Sequence, residues 1–313
     1  MIALRPLSVL YAAVVSAKNA MYDRAALRPK KLRWPVVSVG NLTAGGSGKT
    51  PFVIALVEEF KKRGILCDVL SRGYGRTTSG VRVVDPKGSA EEFGDEPLLI
   101  AQRTGVPVIV GESRYAAGLR SESIDQAERI HILDDGFQHR KLARDVDIVL
   151  LSAVDLKDKL LPEGRLREPL AGLQRADFMA GSESLEMKGK PQIVFRREIE
   201  VSNSLVRPIA FCGIARPQRF FEDLKREGRE TAFNVSFGDH HQYKPSDIDK
   251  LLRWRDQHNA DGFLTTEKDL VRLGQLAERL AQLRAVRLSI QFEDPDRVIA
   301  SVLSTIAARR GRS

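Results

Sequence analysis

From residue 36 to residue 151, short aliphatic and β-branched runs alternate with longer stretches whose apolar positions recur at helical spacing. Val36, Val37 and Val39 predict a first buried strand. Further strands are predicted at 66–71, 81–84, 106–110, 130–135 and 147–151. Helices are predicted at 51–63, closed by Gly64, at 98–104 and at 112–126. Strands alternating with helices predict an α/β fold with a parallel sheet covered on both faces. Residues 181–206 lose the rhythm, first through a polar stretch and then through extended, charged segments. It restarts with strands at 209–212, 231–237, 262–266 and 286–290, and helices at 217–227, 245–258, 271–283 and 295–309. A chain of 313 residues exceeds what one core usually supports. The expected division is an N-terminal segment 1–22, a first domain 23–190, a connection 191–206 and a smaller α/β domain 207–313.

Composition changes this picture at one place. The net charge is +9, and residues 1–33 hold seven lysines and arginines against Asp23 alone. That segment suits an anionic membrane surface or nucleic acid. Between Arg5 and Lys18 there is no charge, and Leu7, Leu10, Tyr11, Val14 and Val15 recur at helical spacing. Such a stretch is too short to span a bilayer, which needs about 20 residues. A helix lying in the membrane interface and a helix packed on the protein's own core both fit it. A nucleic-acid-binding protein would carry its charge along a folded face, so nucleic acid is not expected as a partner. Cys67 and Cys212 sit in apolar runs without metal-ligand spacing and are expected as buried thiols.

The candidate chemistry begins at the end of the first strand. Thr43, Ala44, Gly45, Gly46, Ser47, Gly48, Lys49 and Thr50 form a glycine-rich turn between a strand and a helix. This is the context of a phosphate-binding loop, and it predicts a P-loop NTPase-like domain. The glycines let backbone N–H groups curl around an anion, and the helix start adds unpaired N–H groups. Lys49 reaches β and γ phosphates in such loops, and the Thr50 hydroxyl binds Mg²⁺. The general pattern opens with glycine where this chain has Thr43. ATP and Mg²⁺ are therefore the expected cofactors.

Gly94-Asp95-Glu96-Pro97 places two carboxylates at a helix start, where they either complement the helix dipole or supply a base for a substrate hydroxyl. The apolar strand ending in Asp134 and Asp135 makes one of that pair the expected metal-side acid. Arg72, Arg76, Arg165 and Arg167 stand in turns, as anion contacts or as solvated side chains. In Gly238-Asp-His-His-Gln-Tyr243, neighbouring histidines point to different sides, which favours a single histidine paired with a carboxylate.

Taken together, VGNLTAGGSGKTP, SRGYGR, GDEP, ILDDGFQHR, LLPEGRLREPL, FCGIARPQRFF, DHH and TTEKD, in that order, resemble the tetraacyldisaccharide 4′-kinase family, the lipid A 4′-kinases of Gram-negative bacteria. The resemblance covers nearly the whole chain, and the family accommodates Thr43. It implies transfer of the ATP γ-phosphate to the 4′-hydroxyl of a tetraacylated glucosamine disaccharide 1-phosphate, at the cytoplasmic face of the inner membrane. It also implies two α/β domains joined by a β-strand linker. Carried over by position, Asp95 is the expected general base and His240 its partner, with Lys49 on the phosphates. Thr50, Glu96, Asp134 and Asp135 are the expected group around Mg²⁺.

Two rivals fit less well. A partitioning or membrane-insertion ATPase usually has a lysine before the glycine pair, where Ala44 stands. A GTPase needs a base-specifying Asn/Thr-Lys-x-Asp run, and Thr266-Glu-Lys-Asp269 has the wrong order.

Overall fold

A computed structural model describes residues 5–46, 48–124, 127–184, 189–201 and 205–311. Helix α1 (Arg5–Asp23) precedes strand β1 (Val36–Asn41), which is buried along its whole length. Valine on both faces of a strand suits a parallel sheet covered on two sides. β1 pairs in parallel with β5 (Ile130–Asp134) and with β6 (Val146–Leu150). Beyond β5 lie β2 (Cys67–Ser71), β4 (Val108–Val110) and an antiparallel edge strand, β3 (Arg82–Val83). Beyond β6 lie β7 (Phe178–Gly181) and β8 (Gln192–Glu200).

The second half joins the same sheet. β8 pairs antiparallel with β12 (Leu283–Phe292), and β12 continues in parallel to β11 (Phe263–Thr266), β9 (Ile209–Cys212) and β10 (Phe233–Ser236). The result is one sheet of twelve strands with two parallel regions, joined by the antiparallel β8–β12 pair. This agrees with the α/β fold expected from the alternating pattern.

Helices α2 (Lys49–Lys62), α3 (Ala90–Phe93), α4 (Asp95–Thr104) and α5 (Arg114–Ile124) belong to the first half. Helices α6 (Pro217–Arg226), α7 (Pro245–Gln257), α8 (Glu267–Leu273) and α9 (Pro295–Arg310) follow. α2 buries Phe52, Val53, Leu56, Val57 and Phe60 in the main core. Phe52 meets Phe195 of β8 and Phe292 of β12 edge-on, at centroid distances of 5.7 and 5.2 Å. Burying one such ring contributes about 1.5–3 kcal/mol. Val298, Ile299, Val302 and Ile306 of α9 enter the same core, so the C-terminal helix packs back on the first half.

Two of the differences from the sequence pattern bear on the site. α4 starts at Asp95 rather than at residue 98, which puts Asp95 and Glu96 in its first turn. The helix expected at 271–283 starts at Glu267 and ends at Leu273. Thr266 moves the start forward, because its side chain accepts a hydrogen bond from the Asp269 N–H and caps the helix. At the other end, β12 begins at Leu283 and runs to Phe292, held by its ladder to β8.

Candidate active site

The glycine-rich loop leaves β1 at Asn41 and enters α2 at Lys49. Gly45, Gly46 and Gly48 have φ of 81°, 23° and 84°, a region that a Cβ would strain. Asn41 ties the loop together: its Nδ2 donates to Thr43 O at 2.6 Å, and its Oδ1 accepts from Lys49 Nζ at 3.0 Å. Ala44 N donates to Arg165 O at 2.7 Å. Thr43 is buried beneath the loop, Thr50 is buried in the first turn of α2, and Ser47 lies outside the described residues. The start of α2, Gly48 to Pro51, thus lines a concave surface rich in lysine and arginine, the setting in which a helix N-terminus favours an anion.

That surface is part of a cavity of about 790 Å³ whose wall includes Thr50, Glu96, Asp134, Asp135 and His240. Val39 of β1 is in register with Asp134 of β5, so the strand ends deliver loop and carboxylates side by side. Asp134 is almost fully buried, and among the described residues its Oδ1 has no hydrogen-bond partner. Burial and the charges of Glu96 and Asp135 push its carboxyl up to about 7. Asp135 has φ 51° and receives two hydrogen bonds from Arg167 Nη1, at 3.0 and 2.8 Å. Burial opposes its ionisation, but the Lys49 and Arg167 charges prevail and hold it below the usual carboxylate range.

Among the described residues, no three His, Cys, Asp or Glu side chains are grouped closely enough to hold a metal by themselves. Mg²⁺ is commonly bound by one or two carboxylates plus substrate phosphates. An orphaned, buried carboxylate oxygen on Asp134, lining the same cavity as Thr50, fits such a shared site.

The opposite wall is a seam between α4 and α8. Glu96 Oε1 accepts from Lys268 Nζ at 2.6 Å, and Glu267 accepts two bonds from Arg103 Nη1, at 2.6 and 2.8 Å. Asp95 Oδ2 accepts from Arg272 Nε at 2.9 Å and from Arg272 Nη2, and lies 3.4 Å from His240 Nδ1. Burial alone would raise the Asp95 carboxyl; contact with His240 and the Arg272 and Lys268 charges outweigh it and hold it far below its ordinary value. Asp95 in turn raises the His240 imidazole. His240 has φ 54°, so both Asp135 and His240 sit in left-handed backbone at the cavity wall. His241 turns away and pairs with Asp247 at 2.9 Å. Both neighbouring histidines thus meet carboxylates, on different sides, where the sequence pattern favoured a single such pair.

Arg72 and Arg167 line the cavity together with Arg114, Arg140, Lys18 and Lys141. Arg76 is instead paired with Glu112, and Arg165 with Asp158 at 2.7 Å. A second cavity of about 160 Å³ opens on the other side of Gly46 and Gly48, among Pro51, Ile54, Leu99, Ile214, Phe220 and Leu288. Arg272 and Lys268 were given no role by the sequence pattern. Their four-residue spacing puts them on one face of α8, a signal that is readable once the helix is known to start at Glu267.

Residues 1–307 match the family model described as tetraacyldisaccharide-1-P 4′-kinase. A tetraacyldisaccharide 4′-kinase of Koribacter versatilis (strain Ellin345) is 46% identical over 98% of this chain and 100% of that protein. The protein of the same name in Aquifex aeolicus (strain VF5) is 40% identical over 86% of this chain and 89% of its own length. The crystal structure of the "apo" form of LpxK from Aquifex aeolicus in complex with ATP superposes with a TM-score of 0.81 at 36% identity, covering 97% of this chain and 98% of that one. On these grounds the chain belongs to the tetraacyldisaccharide 4′-kinase family.

Proposed function

We propose that this chain transfers the γ-phosphoryl group of ATP to the 4′-hydroxyl of a tetraacyldisaccharide 1-phosphate, the lipid A precursor, in lipopolysaccharide synthesis. The observation that carries the reading is the approach of buried Asp95 to His240, 3.4 Å apart, where His240 lines a cavity that also contains the glycine-rich loop. Family membership supplies the acceptor class.

In this reading, residues 43–50 bind the triphosphate. Backbone N–H groups around Gly45, Gly46 and Gly48 and the Lys49 ammonium surround the β and γ phosphates. The smaller apolar cavity beyond Gly46 and Gly48 takes the nucleoside end. The acceptor hydroxyl oxygen forms the new bond to γ-phosphorus as the bond to the β–γ bridging oxygen breaks, and ADP leaves with that electron pair. The hydroxyl proton passes to the Asp95–His240 pair, a contribution of about 10²–10⁴-fold. Thr50, Glu96, Asp134 and Asp135 are the residues that would hold Mg²⁺, which neutralises charge on the phosphates when bound. Arg72, Arg114, Arg140 and Lys141 are placed to receive further anionic groups. Positioning and charge neutralisation account for most of such a transfer.

The same reading puts the protein at the cytoplasmic face of the inner membrane, with α1 in the interface. No helix among the described residues is long and apolar enough to cross a membrane. α1 instead turns its polar side inward: Tyr11 Oη donates to Arg167 O at 2.8 Å, and Asn19 Nδ2 donates to Glu168 at 3.1 Å. Leu7, Val9, Leu10 and Val14 are 53–64% exposed on the outside. An outward apolar face on a helix with basic neighbours supports interfacial seating next to an acylated substrate. Residues 23–190 and 207–313 are taken as two units that share the cavity, with β8 in the connection between them.

The test is direct. Incubation with γ-labelled ATP, Mg²⁺ and the lipid disaccharide moves label into the lipid. Label released only as free phosphate overturns the kinase reading in favour of an ATPase.

A further inference from the structure

Arg272 is 2% exposed in its side chain and reaches three groups. Nε and Nη2 both donate to Asp95 Oδ2. Nη1 donates to Gly213 O and to Asp269 Oδ1, the latter at 3.1 Å. Gly213 O also accepts the backbone N–H of His240 at 3.1 Å. One guanidinium therefore joins the Asp95 carboxylate, on α4, to the carbonyl that holds the His240 backbone, 177 residues from Asp95 to Arg272 along the chain.

Arg272 is itself held. Asp269 is fully buried and accepts from Gly213 N, Tyr243 Oη (both 2.9 Å) and Thr266 Oγ1. A Cβ on Gly213 would stand 3.0 Å from His241 Cβ and 3.1 Å from Gly238 O, so this loop has little room to shift. His240 keeps φ 54° inside that frame. A lysine has no planar fork and cannot span the carboxylate and the carbonyl together.

We propose that Arg272 is a positioning residue for phosphoryl transfer: it sets the Asp95 carboxylate and the His240 imidazole in register across the two halves of the chain. The inference rests on the Asp95–His240 reading given above and adds a residue that acts through that pair. Its guanidinium borders the cavity that the loop lines, but its hydrogen bonds go to Asp95, Gly213 and Asp269, so it is expected to govern turnover rather than nucleotide affinity. Misplacing a reacting group by about 1 Å costs roughly 10²-fold in rate.

The experiment compares the full-length chain with Arg272→Gln, Arg272→Lys, Asp95→Asn and the double variant Asp95→Asn/Arg272→Gln. Each is assayed for kcat and for KM of ATP on the lipid disaccharide, with thermal unfolding as a folding control. Both Arg272 variants are expected to lose about 10²-fold in kcat while KM for ATP stays within about threefold. The double variant is expected to match Asp95→Asn alone within about threefold, because residues acting as a unit are not additive. Where Arg272→Gln does not fold, Arg272→Lys gives the reading. Wild-type kcat in Arg272→Lys overturns the inference, and so do losses that multiply in the double variant. Full turnover in Asp95→Asn overturns the pair itself and this inference with it.

Discussion

β1 and α2 flank one glycine-containing loop, β9 and α6 flank another, and the two loops face each other: a Cβ on Gly45 would stand 3.3 Å from that of Ala215. The first loop opens to a cavity with three glycines in positive φ and a helix start behind them. The second closes on itself, with Gly213 bonded to Asp269, Arg272 and His240. In the proposed reading, the same strand–loop–helix unit serves in one place to surround an anion and in the other to fix side chains. The difference lies in what the backbone groups meet. N–H groups left unpaired at a helix start invite a ligand, whereas those engaged by buried side chains supply rigidity.

The largest effect that tests this contrast belongs to the donor side. Lys49→Ala is expected to lower kcat/KM about 10³-fold, read as label transferred from γ-labelled ATP to lipid, since it removes a charged donor aimed at developing phosphate charge. Transfer at the wild-type rate would place the anion site elsewhere and end the comparison. The acceptor side is expected to respond differently. His240→Ala is expected to lose about 10²-fold in kcat with nucleotide affinity retained. His241→Ala gives up its bond to Asp247, costs about 1 kcal/mol of stability in chemical denaturation, and leaves kcat within about threefold. Equal kinetic losses at both histidines would show that the loop acts as a generic scaffold.

These contrasts explain which parts of the molecule are legible in the sequence. The donor side is contiguous: the loop expected around the triphosphate runs without a break from Thr43 to Thr50, and glycine and lysine have few other reasons to be spaced that way. The alternating strands gave the parallel sheet by the same local logic. The α4–α8 seam is not local. Asp95 meets Arg272 and Glu96 meets Lys268 across more than half the chain. Buried charges of this kind are recognisable only as pairs, and no periodicity relates members so far apart. Starting the predicted helix at residue 271 hid the start of α8 and, with it, the shared face of Lys268 and Arg272. α1 hid its orientation differently. Its apolar stripe was legible, but its small inward polar set, Ser8, Tyr11 and Asn19, has meaning only against the 160–168 segment.

α1 gives the next, smaller test of the acceptor side. Replacing Leu7, Leu10 and Val14 together by aspartate is expected to reduce flotation with anionic vesicles about tenfold or more. Each site is exposed, so unfolding is expected to shift by no more than about 0.5 kcal/mol per substitution. Vesicle binding that survives intact would remove the helix from the membrane and leave the basic cavity rim as the lipid contact.

The smallest effect compares two histidines that line the cavity. Acidic Asp95 raises His240, whereas burial and the charges of Arg114, Arg144, Lys141 and Lys18 lower His139 to about 4. His139 is therefore neutral in the folded chain between its folded value and the ordinary histidine value of about 6.5, while the unfolded chain takes up a proton there. More protons bound in the unfolded state mean that stability falls as the pH is lowered through this window. His139→Gln removes that proton uptake, so its unfolding midpoint is expected to decline less steeply than that of the wild type between pH 6.5 and pH 4, with the two curves parallel above pH 7. Because carboxylate titrations are common to both proteins, the difference between the curves isolates this histidine. Curves parallel throughout would mean that His139 titrates as it does in water, and that the basic wall is weaker than its composition implies.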